Sequence, residues 1–208
     1  CLGFMNRKRF LPPTAQSTIP GKLMDSKLEQ ARDWFFQGIE HFEAGRMEPA
    51  RAAFQTSLAF APDRPSVLGN LGITLFRLDR FEEAVSMLQQ VTLADPAYAD
   101  AWTALGLSHA ALAHWQNAVD ALQQASALSP QNAALLVRQG ECLLQLGRST
   151  EALRAFDLAV TVDPENANAW SARGGLLREL HQLDAAATCF EKALALGADP
   201  ELTSYYLA

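Results

Sequence analysis

The feature that most constrains this chain is a single interval shared by three residue types. Pro62, Pro96, Pro130 and Pro164 stand 34 residues apart, and so do Gly38, Gly72, Gly106, Gly140 and Gly174. Ala50, Ala84, Ala118, Ala152 and Ala186 form a third ladder with the same spacing. A chain with three such ladders repeats one supersecondary unit, and that period governs the reading of every local segment.

Each period divides into two helical runs. Within 99–132, Trp102, Leu105, Gly106 and His109 recur at helical spacing, and Trp115, Ala118, Val119, Leu122 and Ala125 do so again. Gly45, Asp79 and Gly147 fall in the short connections, where they suit a turn between antiparallel helices. The proline closes each period, because it cannot continue a helix and biases its predecessor towards extended backbone. Gly106 and Ala118 let the two backbones approach, and Trp102 and Leu122 fill the space on either side. Helices of about 14 residues are roughly 20 Å long and leave an apolar face that only a neighbouring pair can cover. The spacing predicts an all-α solenoid of five antiparallel helix pairs, over 31–64, 65–98, 99–132, 133–166 and 167–200.

Within a period the order is Trp, Leu-Gly, Tyr or a substitute, Ala, Phe or Leu, Ala, Pro, which resembles the tetratricopeptide repeat. The large residue alternates as Trp34, Leu68, Trp102, Leu136 and Trp170, and the second-helix aromatic position holds Phe54, Leu88, Leu122, Phe156 and Phe190. The fifth repeat departs from the pattern, with Ala198 at the proline position and Pro200 two residues later. The resemblance covers 31–200 and implies a right-handed α-α superhelix whose first helices line a concave groove. It also implies that the groove holds a peptide or a partner helix, so the chain is expected to be a protein–protein interaction scaffold.

Carried onto this sequence, the family's groove positions give Phe35, Ile39 and Phe42 in repeat one, and Asn70, Ile73, Phe76 and Arg77 in repeat two. Repeat three gives Asp100, Thr103 and Leu107; repeat four gives Val137, Arg138 and Glu141; repeat five gives Asn168, Ser171 and Arg178. The expected surface is apolar towards its N-terminal end and polar towards its C-terminal end. An apolar anchor would dock near repeats one and two, with Arg138 and Arg178 taking a carboxylate. Pairing of Arg138 with Glu141, three residues on, is the competing expectation. Domains that clamp a chaperone's C-terminal carboxylate place Lys and Asn in the first repeat, Asn in the second and bases in the third. The matching residues are Phe35, Ile39, Asn70, Asp100 and Ala104, so that ligand class is not expected.

Charge and composition narrow the partners. Residues 1–30 balance at +3, which leaves −9 for 31–208, and an acidic body repels nucleic acid. No apolar stretch is long enough for a membrane-spanning helix. Residues 1–24 read as a basic, Pro-containing arm with Arg7, Lys8 and Arg9 but no apolar period, and 25–200 form the repeat domain. Residues 201–208 read as the start of a C-terminal capping helix. Cys1, Cys142 and Cys189 lack metal-ligand spacing. The two inner cysteines are expected to be buried and reduced, which points to the cytoplasm.

No catalytic motif, metal site or cofactor signature is present, and Gly174-Gly175 lies inside a helix, where it is no phosphate loop. His41 and His109 occupy the first-helix position of the family's Tyr and are expected to be structural. Two other readings stay open. The ending is similar to proteins in which such repeats precede an S-adenosylmethionine-dependent methyltransferase domain, which would make the chain an enzyme's recognition arm. The other is a lipid-anchored assembly factor held to a membrane, on the periplasmic side, through Cys1.

Overall fold

The computed structural model describes residues 20–199, with side chains from residue 25 onward. The expected arm up to residue 19, including Cys1 and the Arg7–Arg9 triplet, and the expected cap over 201–208 lie outside the described residues. Ten helices follow in order: α1 (Pro20–Glu43), α2 (Met47–Phe60), α3 (Pro65–Arg77), α4 (Phe81–Ala94), α5 (Ala99–Ala111), α6 (Trp115–Leu128), α7 (Ala133–Gln145), α8 (Ser149–Val162), α9 (Ala167–Glu179) and α10 (Leu183–Ala195). The described residues contain no strand. Helix α1 begins at Pro20, five residues inside the stretch expected to be an arm. Proline tolerates a helix start because its missing N–H would find no intrahelical partner there.

Each odd helix packs against the even helix that follows it, and each even helix against the next odd one. Successive odd helices also touch (α1 with α3, α3 with α5, α7 with α9), so they form the crowded inner side of the curve. The pairs stack as the α-α solenoid that the period predicts, and as the right-handed superhelix that the resemblance implies.

The ladders explain the packing. The alanine ladder is fully or almost fully buried, from Ala50 to Ala186. A Cβ at Gly106 would lie 2.7 Å from Leu122 Cγ, and one at Gly72 2.7 Å from Leu88 Cγ. Glycine is therefore required where the odd helix crosses the large residue of its partner. The indole N–H of Trp102 donates to the Pro96 carbonyl, and that of Trp170 to the Pro164 carbonyl, each at 2.9 Å. The large first-helix residue thus also fastens the preceding connection.

All five turns within the pairs share one geometry. The turn residue has positive φ in every case: Gly45, Asp79, Ala113, Gly147 and His181. The next residue's N–H reaches back across the turn: Arg46 to His41 O, Arg80 to Leu75 O, His114 to His109 O, Arg148 to Leu143 O and Gln182 to Leu177 O, at 2.8–2.9 Å. This is the six-to-one closure that favours glycine. An L-residue in the left-handed region costs about 1–2 kcal/mol. Ala113→Gly is therefore expected to raise unfolding stability by about 1 kcal/mol, measured by denaturant titration, whereas Ala52→Gly, at an exposed position inside α2, lowers it by a similar amount.

The two ends of the stack differ. Inner repeats bury Val67, Ala101, Leu135 and Ala169 against the preceding pair, where repeat one carries exposed Asp33. Likewise Thr74, Ser108, Cys142 and Leu176 are buried, where repeat one carries exposed Glu40. At the other end Leu183 is 62% exposed, at the position filled by half-buried Phe81 and Trp115 in inner repeats. Helix α10 closes on Gly197 (φ 88), with Ala198 N–H donating to Ala193 O at 2.9 Å. The other even helices run instead into an extended residue and a proline.

Candidate protein-binding groove

The inner side carries three clefts, each between neighbouring odd helices. The middle one is the most apolar, with a volume of about 650 Å³. Phe76, Leu107, Ala110 and Ala111 line it from α3 and α5, Phe81 and Trp115 from the starts of α4 and α6, and Cys142 from α7. Phe76 and Phe81 hold each other at 6.0 Å between ring centroids, which fixes one wall. The C-terminal cleft, about 540 Å³, lies between α7 and α9 and is more polar than the middle one, with Asn168, Ser171, Arg178 and Glu179 opposite Val137 and Arg138. Arg138 and Glu141 line both clefts and separate them. A third cleft of about 260 Å³ opens between α1 and the start of α3.

The expected groove residues divide into two groups. Phe76, Arg138, Glu141 and Arg178 line the middle or C-terminal cleft, and Phe35 lines the N-terminal one. Ile39, Phe42 and Ile73 are half-buried against the core formed by α1 to α5 and border none of these three clefts. The Arg77 guanidinium lies over the Phe42 ring at 5.5 Å, so this arginine covers an aromatic residue expected to receive a ligand. Asn70 donates its side-chain N–H to Ser66 O at 2.8 Å, within its own helix. The most apolar of the three clefts spans repeats two to four, whereas the expected anchor position lay near repeats one and two.

Arg138 Nη1 donates to Glu141 Oε2 at 2.8 Å. The competing expectation of a within-helix pair is the arrangement seen. Phe81 and Trp115 were missed as site residues. They occupy the first position of the second helix, where Met47 and Leu183 also stand and only repeat four differs, with Ser149, so a large apolar residue in four of five repeats is the available signal.

Cys142 and Cys189 are both buried and free. Burial, with Glu141 adding to it, pushes the Cys142 thiol above its usual range, which opposes thiolate chemistry at the cleft wall. Among the described residues no group of three or more His, Cys, Asp or Glu could hold a metal ion, and no helix is long and apolar enough to cross a membrane.

Paired helices stacked at one period, with an open inner face, define an α-helical repeat solenoid. Sequence profiles described as tetratricopeptide repeat match residues 41–107, 103–167 and 145–202. The chain belongs to the tetratricopeptide repeat family. Over 65 residues it is 37% identical to cellulose synthase operon protein C of Komagataeibacter xylinus, covering 31% of this chain and only 5% of that protein. Among solved structures it is similar to MamA, with TM-score 0.73 and 25% identity over 76% of this chain and 93% of that one. It is also similar in fold to YrrB, described as a TPR protein with an unusual peptide-binding site, with TM-score 0.76 and 21% identity over 89% and 95% of the two chains. The thermophilic TPR protein TTC0263 of Thermus thermophilus aligns with TM-score 0.60 and 22% identity, over 85% and 97%.

Proposed function

We propose that this chain acts as a protein–protein interaction scaffold, holding a segment of a partner along its inner face by an apolar side chain seated in the middle cleft. The observation that carries this reading is the open wall of Phe76, Phe81, Leu107 and Trp115, contributed by four different helices. Contiguous apolar surface of this kind, bordered by polar groups such as Asp79 and Gln145, marks interaction sites in folded proteins. The chain's own chemistry is binding and not catalysis. His41 and His109 fit structural roles, since His41 Nδ1 accepts from Arg46 Nε at 2.9 Å and His109 is buried.

Ala110 and Ala111 line the cleft from the last turn of α5, with Ala111 exposed. A glutamate there places a charge over the apolar floor without opening the core. Ala111→Glu is expected to weaken binding of a neutral, fluorescein-labelled Phe-Leu peptide about tenfold or more by anisotropy, with thermal unfolding unchanged. Unaltered affinity in Ala111→Glu and in Phe76→Ser would remove the middle cleft from the account.

A further inference from the structure

The N-terminal cleft has a charge character that the other two lack. The middle cleft carries Asp79 and Glu141, and the C-terminal cleft carries Glu141 and Glu179. The N-terminal cleft is lined by Arg32 and Arg64 and by no carboxylate, in a chain whose formal charge is −6. Phe35 and Phe36 give it an aromatic side. The Phe35 ring packs at a tilt against buried Phe54, 6.0 Å between centroids, and against Phe36, 5.7 Å away and 60% exposed. Phe35 is therefore a fixed wall, and Phe36 an open apolar shelf beside it.

We infer that this cleft receives an acidic side chain from a partner peptide, with a large apolar neighbour of that residue resting on Phe36. The inference rests on the reading of the inner face as a peptide groove and extends it to the groove's N-terminal mouth. A volume of about 260 Å³ suits one side chain. Arg64 forms no ion pair among the described residues, and Arg32 meets only its chain neighbour Asp33, at 3.6 Å with both side chains 64% exposed. Such a pair is worth little and yields readily to a carboxylate held by two guanidinium forks. Ser66, in the first turn of α3, adds a hydroxyl to the lining, and the helix start favours negative charge there. Charge also selects between occupants. Residues 1–19 of this chain carry Arg7, Lys8 and Arg9 and no acidic residue, so they would meet Arg32 and Arg64 with like charge. The basic arm is thus a poor occupant, and a partner's acidic side chain is the occupant proposed. It enters at the opposite end of the groove from Arg138 and Arg178, where Glu141 and Glu179 line the cleft and oppose a further carboxylate.

Three fluorescein-labelled, amidated peptides test this on the full chain: Glu-Asp-Phe-Leu-Asp-Glu, the same peptide with Gln and Asn for the acids, and the same with Lys. The acidic peptide is expected to bind about tenfold or more tighter than the neutral one, to lose that advantage in Arg32→Glu/Arg64→Glu, and to weaken with added salt. Arg154→Ala, at an exposed position on helix α8 away from the three clefts, should leave its affinity unchanged. Both N-terminal arginines are exposed, so unchanged thermal unfolding of the double variant serves as the folding control. Equal binding of acidic and neutral peptides, both weakened by Ala111→Glu, would overturn the acidic preference and leave the groove reading standing. Acidic-peptide binding that depends on Arg32 and Arg64 but ignores Ala111→Glu and Phe76→Ser would do the reverse. Tighter binding of the lysine peptide, or no binding of the acidic one, overturns the inference.

Discussion

Gly140→Ala is expected to destabilise the fold by about 2–3 kcal/mol, although it adds one methyl group to a helix. A Cβ at Gly140 would collide with the Phe156 ring, lying 2.8 Å from Cδ1 and from Cζ. Phe156 is 1% exposed and belongs to the largest core cluster, so the ring has no free space into which to turn. Phe156→Ala alone removes a buried ring and costs about 3–5 kcal/mol. In the double variant the methyl no longer meets the ring, and the loss should fall well short of the two single losses combined. An internal control lies in α9. Nothing stands within 4 Å of a Cβ built on Gly175, so Gly175→Ala should raise stability by about 0.5–1 kcal/mol. Chemical denaturation of the four variants checks the whole pattern. A neutral Gly140→Ala would mean that the helix pairs are not in such close contact.

His109→Leu is expected to stabilise the chain, and to do so more at pH 5 than at pH 7. His109 is 6% exposed, and its Nδ1 has no hydrogen-bond partner. An orphaned buried polar atom costs about 1–3 kcal/mol. The same register holds Leu75, Leu143 and Leu177 in three other repeats, so leucine already fits the site. Burial first, then the His114 ring 5.7 Å away, holds the imidazole pKa below its usual value. The folded state therefore keeps His109 neutral where the unfolded chain already takes up a proton. Stability from this residue is fully present above the unfolded pKa and declines as pH falls through it. Thermal unfolding followed from pH 7.5 to 5 should show a steeper decline in the natural chain than in His109→Leu. Parallel declines would mean that His109 is solvated.

Much of the architecture is legible in the sequence because repetition enforces it. One pair cannot cover its own apolar face, so the ladders that set the pair also set the stack. The turn at Gly45 and Gly147 is readable for the same reason. Ala113 and His181 adopt the identical left-handed turn, and no glycine announces it there. The surrounding closure imposes that conformation, and a residue type alone does not report imposed strain.

The site was less legible, for a geometric reason. The middle cleft forms where three odd helices and the starts of two even ones converge, and convergence depends on how the pairs pack. Arg32 and Arg64 stand 32 residues apart, at different registers of successive repeats, yet line one cleft. Only stacking brings them together. The Arg138–Glu141 pair, by contrast, was visible as a three-residue spacing on one helix.

The most direct test maps a bound ligand on the isotope-labelled full chain by chemical-shift perturbation, with the neutral Phe-Leu peptide as probe. Shifts should concentrate on the inner face, at Phe76, Leu107, Ala110, Ala111 and Gln145, with silence at exposed Leu93 and Leu158 on the even helices. Perturbations centred on Leu93 and Leu158, with the inner face unmoved, would contradict a binding groove there.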